Sequence, residues 1–403
     1  MTPLRILHVT PYFEHAWAYG GIPRVASALT AGLVARGHDV TVCTTDACRP
    51  GERLRRPAGT GRRGPWRETN AAGVQVRVFP NLSNTLAYDL QFFVPLGLAA
   101  YLRDHTADFD IAHIHACHNV PGAAAAHYLS GAGVPYVLTP NGTAPRIERR
   151  ILAKYLFDIS VGRHVLSGAT RLLAVSDAEC VQLRSMGVSD DRISVIPNPS
   201  DATEFEVPID RGAFRTRAAL GDGELIVFLG KLTPRKRLDV LARAFASLAR
   251  PGARLVIAGN DMGYGAELDR LIETLRIGDR TVRTGLLTGR ERLEALADAD
   301  VVVYPSKDEI FGLVPIEAIL CGTPVIVADD SGCGEVIARV GGGLVVPQGN
   351  VSRLAQAITS VLDAPAQWRE EAGIAGTRAR EWYGAAQVCE QLEAVYREVL
   401  GRD

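Results

Sequence analysis

The 403-residue chain carries almost no net charge: 44 Lys and Arg stand against 45 Asp and Glu, leaving −1 at pH 7. That balance gives no global field to recruit nucleic acid, and no aromatic–basic surface pattern accompanies it. Cysteine is sparse. Seven are scattered at positions 43, 48, 117, 180, 321, 333 and 389, with no C-x-x-C pair. This argues against a structural zinc site or a disulfide framework, and a reducing, cytoplasmic setting is expected. Long apolar runs are missing too. The most apolar stretch, near Phe92 to Leu102, is too short to span a bilayer and is broken by Pro95 and Gly97. The opening MTPLRILHVTPYF has an apolar core of only a few residues and reads as a strand rather than a signal peptide. There is no repeat of solenoid length and no G-x-G-x-x-G fingerprint. What remains is an ordinary globular composition, 47% hydrophobic and 22% charged, long enough for two α/β cores.

The pattern alternates strand and helix. Leu4–Thr10 is a buried strand, followed by the loop PYFEHAWAYGGIP, a helix from about Arg24 to Arg36 ended by Gly37, and the strand HDVTVCTTD. This β-loop-α-β start predicts a doubly wound parallel sheet. Arg49 to Arg67 holds seven arginines and one acid and reads as a solvated loop, or as a contact for an anionic acceptor or membrane surface. DIAHIH places His113 and His115 on one face of a strand, with His115 nearer its carboxyl tip. The pair could ligate a metal, but no third ligand is evident. Arg146, Arg149, Arg150, Lys154 and Arg163 mark one basic face of a helical region, either solvated or set against a membrane. Asp298-Ala299-Asp300 spells D-x-D, yet it falls where a helix gives way to a buried strand, away from any ligand-binding crest.

The stretch Tyr304 to Ile337 organises the rest. DVVVY is a short β-branched run of the kind found in buried parallel strands. Pro305 and Ser306 stop it, and Gly312 opens a helix with Pro315 in its first turn. Glu309 sits on the loop and Glu317 on the helix, eight residues apart. The backbone N–H groups of Phe311, Gly312 and Leu313 form an anion site at the helix start. On residues alone, two acids near the positive end of a helix are also simply stabilising, by about 0.3–1 kcal/mol each.

The string E-x-F-G-L-x-x-x-E followed by A-x-x-C-G-T-P-V-I resembles the E-x7-E signature of family 4 glycosyltransferases, and the likeness extends over essentially the whole chain. It implies the GT-B fold: two doubly wound, Rossmann-like α/β domains facing each other across a cleft. Residues 1–204 would form the acceptor domain and 205–380 the nucleotide-sugar domain. A C-terminal helix, about 381–403, would pack back on the first. The Gly20-Gly21 pair resembles the family's loop near the donor diphosphate, and IPNPSD its inter-domain linker. Lys231 and Lys236 stand where the family shows Arg then Lys. The change keeps the charge but loses the bidentate fork. Four cations, Lys231, Arg235, Lys236 and Arg237, gathered at a helix start call for an anion. By the same resemblance Glu317 holds the ribose, Glu309 the transferred sugar, and His115 steadies that sugar or the acceptor. Asn141 replaces a His often present in the family and is left to hydrogen-bond an acceptor hydroxyl.

The implied activity is retaining transfer from a nucleotide-sugar, a UDP-sugar before GDP-mannose, to a saccharide, a lipid-linked glycan or a small natural product. No cofactor and no metal are expected for the chemical step. No nucleic-acid partner is expected, and any membrane contact would be peripheral, on the inner face. Competing classes are a sugar phosphorylase or nucleotide-sugar epimerase on the same fold, and a non-catalytic sensor. The presence of both glutamates and both lysines argues against the sensor.

Overall fold

Short β-branched runs, each followed by an amphipathic helical segment, fold into parallel strands covered by helices. The computed structural model describes residues 2–49, 51–58, 64–145, 155, 157, 162–200, 202–205, 207–330 and 332–402. The chain divides into two units, 1–199 with 385–403, and 200–384.

In the first unit β1 (Arg5–Val9), β2 (Asp39–Thr45), β5 (Trp66–Thr69), β6 (Gln75–Phe79), β7 (Ile111–His115), β8 (Tyr136–Thr139), β9 (Arg171–Ala174) and β10 (Ile193–Val195) form one sheet. Its order is β10-β9-β8-β7-β1-β2-β6-β5. Only the β5–β6 edge pair is antiparallel. Within the arginine-rich segment, β3 (Ala47–Arg49) and β4 (Glu52–Arg53) make a small antiparallel pair where the sequence suggested only a loop. The first helix, Ile22–Ala35, begins earlier than its arginines suggested. Helix Ala385–Leu400 packs against it: Arg36 Nε donates to Glu393 at 2.6 Å, and a Cβ on Gly32 would lie 2.4 Å from Cys389 Sγ.

The second unit holds β11 (Leu225–Leu229), β12 (Arg254–Ala258), β13 (Thr281–Gly285), β14 (Val301–Tyr304), β15 (Val325–Ala328) and β16 (Gly343–Val346). The order is β13-β12-β11-β14-β15-β16, all parallel. A 19-residue helix, Pro365–Tyr383, which the sequence reading did not single out, packs on helix Leu313–Leu320. In each sheet the winding reverses at one place, between β1 and β7 and between β11 and β14. Ligands of open α/β sheets bind beyond the carboxyl ends of the strands at such a switch point.

Candidate active site

Most residues named from the sequence lie at those two switch points. In the second unit the chain leaves β11 through Gly230 and Lys231 and makes a single turn at Pro234–Lys236. Arg237 takes a left-handed φ of 49° before helix Leu238–Ala246 begins. The adjacent strand β14 leads into Pro305–Gly312. Arg235 stitches the two loops together: its carbonyl accepts from Lys307 N at 2.7 Å, and its guanidinium donates to the Asp308 carbonyl.

Beneath that stitch Lys236 Nζ donates to Glu309 Oε2 at 2.5 Å and to the Tyr304 hydroxyl. It also sits 4.4 Å from the centroid of the Tyr304 ring. Burial alone would lower the ammonium's pKa, but Glu309 and Tyr304 hold it above the ordinary lysine range. Burial would raise the Glu309 carboxyl, and Lys236, Arg235 and Lys231 bring it below the usual value instead. Both groups are thus charged at neutral pH. The cationic cluster finds its first anion in the protein's own Glu309. Sequence spacing could not show this, because the pair is 73 residues apart.

Phe311 is buried, and Gly312, at φ 77°, opens helix Leu313–Leu320. A Cβ at Gly312 would fall 2.5 Å from Cys333 Sγ, so glycine is required there both for φ and for space. Glu317, one turn further on, is only 2% exposed. One of its oxygens is bound by the buried Arg292, whose other Nη reaches Glu204. Neither Arg292 nor Glu204 was picked out from the sequence. The D-x-D carboxylates are committed to the scaffold. Asp298 accepts the N–H groups of Gly212 and Arg215, while Asp300 pairs with Arg215 and Arg369. Asp261 likewise accepts three N–H groups, from Gly263, Tyr264 and Gly265.

In the first unit His113 and His115 do share a face, with ring centroids 4.1 Å apart. The parallel register His8↔His113 adds a third imidazole, so the histidine pair does have a candidate third ligand. His8 Nδ1 lies 2.9 Å from His115 Nε2, and His113 is held by the Tyr396 hydroxyl at 2.7 Å and the Thr139 hydroxyl at 2.6 Å. The three candidate ligand nitrogens lie within 4.8 Å of one another. The His115 ring is nevertheless nearly parallel to both others, at 19° and 24°. Both ring nitrogens of His113 are engaged by hydroxyls, and His8 Nδ1 and His115 Nε2 face each other at hydrogen-bond distance, so the arrangement is a hydrogen-bonded packing cluster. All three are 0% exposed. His115 lies at the carboxyl tip of β7 with its side chain enclosed and Nδ1 without a hydrogen-bond partner among the described residues.

The loop after β7 is unusual. Ala116 and His118 are non-glycine residues with left-handed φ, and so is Asn141, at 53°, on the neighbouring β8 loop. Such conformations persist only where the surroundings over-determine them, and they cluster at functional sites. Thr143 ties the two loops, accepting from Cys117 N at 2.7 Å. Both polar atoms of the Asn141 amide are buried without a hydrogen-bond partner among the described residues. Glu179, buried on helix Asp177–Ser185, accepts from Gly142 N at 2.6 Å and Val175 N at 2.9 Å. Burial lifts its carboxyl to about 7 despite those two donors. Gly20, at φ 102°, and Gly21 follow a short turn in the β1 loop and lead into helix Ile22–Ala35. Of the basic helical face, Arg146, Arg149, Arg150 and Lys154 lie outside the described residues.

Two doubly wound units with charged loops at their strand tips define the GT-B class of glycosyltransferases. Residues 19–204 match the family description "Glycosyltransferase Family 4", and residues 211–382 match "Glycosyl transferases group 1". The chain is 31% identical over 311 residues to the D-inositol 3-phosphate glycosyltransferase of Stackebrandtia nassauensis, covering 73% of this chain and 69% of that one. It is 29% identical over 317 residues to the enzyme of the same name from Kineococcus radiotolerans, covering 73% and 68%. Among solved structures it resembles Anabaena HepE in complex with UDP and glucose, at TM-score 0.74 and 17% identity over 98% of this chain and 100% of that one. Sucrose-phosphate synthase from Thermosynechococcus elongatus gives 0.75 at 19%, over 99% of both. The chain therefore belongs to the family 4 glycosyltransferases and is an enzyme of that class.

Proposed function

We propose that this enzyme moves a sugar from a nucleoside-diphosphate sugar, UDP-linked in the first place and GDP-mannose in the second, to a hydroxyl of a saccharide or lipid-linked glycan. The observation that carries the reading is the Lys236–Glu309 pair at the β11/β14 switch point, with Lys231 and Arg235 adding to the field on Glu309. Fixed cations there neutralise the diphosphate as it leaves, in the role a divalent metal fills elsewhere. Glu309 takes hydroxyls of the transferred sugar, the N–H groups of Phe311, Gly312 and Leu313 a phosphate oxygen, and Glu317 the ribose. The acceptor oxygen attacks C1 from the side the diphosphate leaves, and a phosphate oxygen receives the acceptor proton, so the anomeric configuration is retained. In the first unit, the unpartnered amide of Asn141 supports its assignment to an acceptor hydroxyl.

The test is a thermal shift in EDTA against UDP-, GDP- and ADP-sugars and the free diphosphates. A rise with one base, abolished in Lys236→Ala, is expected. No rise with any of them at millimolar ligand would refute the reading. A second acceptor class, a cyclitol phosphate, is favoured by the names of the relatives, and D-inositol 3-phosphate offered with the matched donor tests it. Peripheral contact with an anionic membrane is supported by the exposed Leu82, Leu86, Phe92 and Leu96 beside the exposed Arg49, Arg53 and Arg55. The two sets are joined where Asn84 Nδ2 donates to the Glu52 carbonyl at 2.9 Å. No helix among the described residues is long and apolar enough to cross a membrane.

A further inference from the structure

We infer that Arg292 is the positioning residue for Glu317, and that Glu204 holds the outer end of the same guanidinium so that its inner end stays on Glu317. The inference rests on the reading of Glu317 as the ribose ligand.

Arg292 lies on helix Gly289–Asp298 and Glu317 on helix Leu313–Leu320, two helices in contact. The side chains of Arg292 and Glu317 are 7% and 3% exposed, and that of Glu204 is 39%. Nη1 of Arg292 binds Glu317 Oε2, while Nη2 binds Glu204 Oε2. A carboxylate this deeply enclosed is unstable as an anion without a cation to bind it. Burial works against the Arg292 charge, but Glu317 and then Glu204 hold its pKa above the ordinary value. The planar guanidinium fixes direction as well as charge, because its N–H groups leave it in a rigid fork. Pinning one oxygen of Glu317 fixes the plane of the carboxylate and with it the direction of the second oxygen. Only a sliver of this side chain reaches the surface, so a rotation of a few tens of degrees would take its acceptor oxygen away from a ribose.

Glu204 gives the arrangement its second anchor. It lies in the turn Ala202–Phe205, close to where the chain enters the second unit. A guanidinium held by one carboxylate can swing about that contact, whereas one held at both Nη groups by two carboxylates on different elements cannot. The more exposed Glu204 costs less to order than a second buried acid would. A group whose only task was to stabilise the fold would affect all ligands of the unit equally. A group that aims Glu317 affects only those that carry the ribose hydroxyls.

The experiment compares UDP, GDP and ADP with their 2′-deoxy and 3′-deoxy analogues by calorimetry, on the full chain, for wild type, Arg292→Lys and Glu204→Gln. In wild type the matched nucleotide should bind at least tenfold tighter than its deoxy analogues. In Arg292→Lys, which keeps the charge and loses the fork, that ratio should collapse to below threefold while the deoxy analogues bind as in wild type. In Glu204→Gln, at a position 39% exposed, the ratio should fall severalfold. Wild type that does not discriminate ribose from deoxyribose removes the ribose reading of Glu317, and this inference with it. Discrimination in wild type that persists unchanged in the variants leaves Glu317 on the ribose and overturns the role of Arg292 and Glu204 alone. Equal weakening of ribose and deoxyribose nucleotides in either variant makes the contact purely structural and also overturns it.

Discussion

Lowering the pH from 7.5 to 5.5 should loosen the first unit by an amount set by its three enclosed histidines. His8, His113 and His115 are fully buried, and burial keeps their pKa values low, to about 3 for His115 and well below 6.5 for the other two. An unfolded histidine titrates near 6.5, so over this range the unfolded state binds protons that the folded state refuses, and acid favours unfolding. Each histidine that stays neutral in the folded state then costs about RT ln(1 + 10^(6.5−pH)), negligible at pH 7.5 and about 1–2 kcal/mol at pH 5.5, or on the order of 4 kcal/mol for three. Glu179 runs the other way. Its folded carboxyl titrates at about 7 against an ordinary 4.5, so it is charged at some cost at pH 7.5 and neutral at 5.5. Relief of that cost returns roughly 2 kcal/mol over the same interval. Glu393, brought down to about 2, stays ionised throughout in the folded state and contributes little above pH 5.5. Wild type should therefore lose about 2 kcal/mol and Glu179→Gln about 4. Hydrogen exchange of the β7 amides, corrected for intrinsic rates, reads this opening in one unit without assuming that the whole chain unfolds together. A Glu179→Gln protein whose β7 protection changes by less than about 1 kcal/mol would show that the histidines are already protonated or solvated, and the buried-cluster argument would fail.

Glu317→Ala should mainly weaken donor binding, whereas Glu309→Ala should mainly lower turnover, and steady-state kinetics of both variants separates the two. Activity should survive excess EDTA, and a strict Mg²⁺ requirement would count against Lys231 and Lys236 as the neutralising groups. Gly312→Ala should destabilise the second unit by about 1–3 kcal/mol, because it combines a left-handed φ with a clash against Cys333; urea denaturation checks it. Tyr396→Phe leaves buried His113 Nδ1 without its partner and should cost about 1–3 kcal/mol in the first unit, read as a lowered melting midpoint.

The second unit was the more legible. Glu309, Gly312 and Glu317 are fixed by spacing within nine residues, and the basic turn after β11 by a strand, a glycine and four cations within seven residues. Local order carries such information because those four cations fall at one strand tip. What stayed hidden depends on lateral neighbours. His8 meets His113 only because β1 and β7 are adjacent, and 105 residues of chain separate them. Lys236 meets Glu309, and Arg292 meets both Glu317 and Glu204, through the strand order of one sheet and the packing of its helices. The depth of His115 was missed for a related reason. Period two predicts which face a side chain takes, but not that a helix from residues 385–400 will cover that face. The arginine-rich segment was read from composition, which does not register the β3–β4 pairing inside it.

That covering helix has a consequence for how the protein is made. The sheet of the first unit is complete once residue 199 has been synthesised, yet the tyrosine that closes over His113 is residue 396. At ribosomal rates of about 5–20 residues per second, the nascent sheet waits on the order of ten seconds or more with its histidine face uncovered. The second unit can fold in that interval, using only its own continuous stretch of chain. Completion of the first unit thus depends on a helix that emerges only after the second unit, so a ribosome stalled within the second unit holds a chain whose first unit is unfinished.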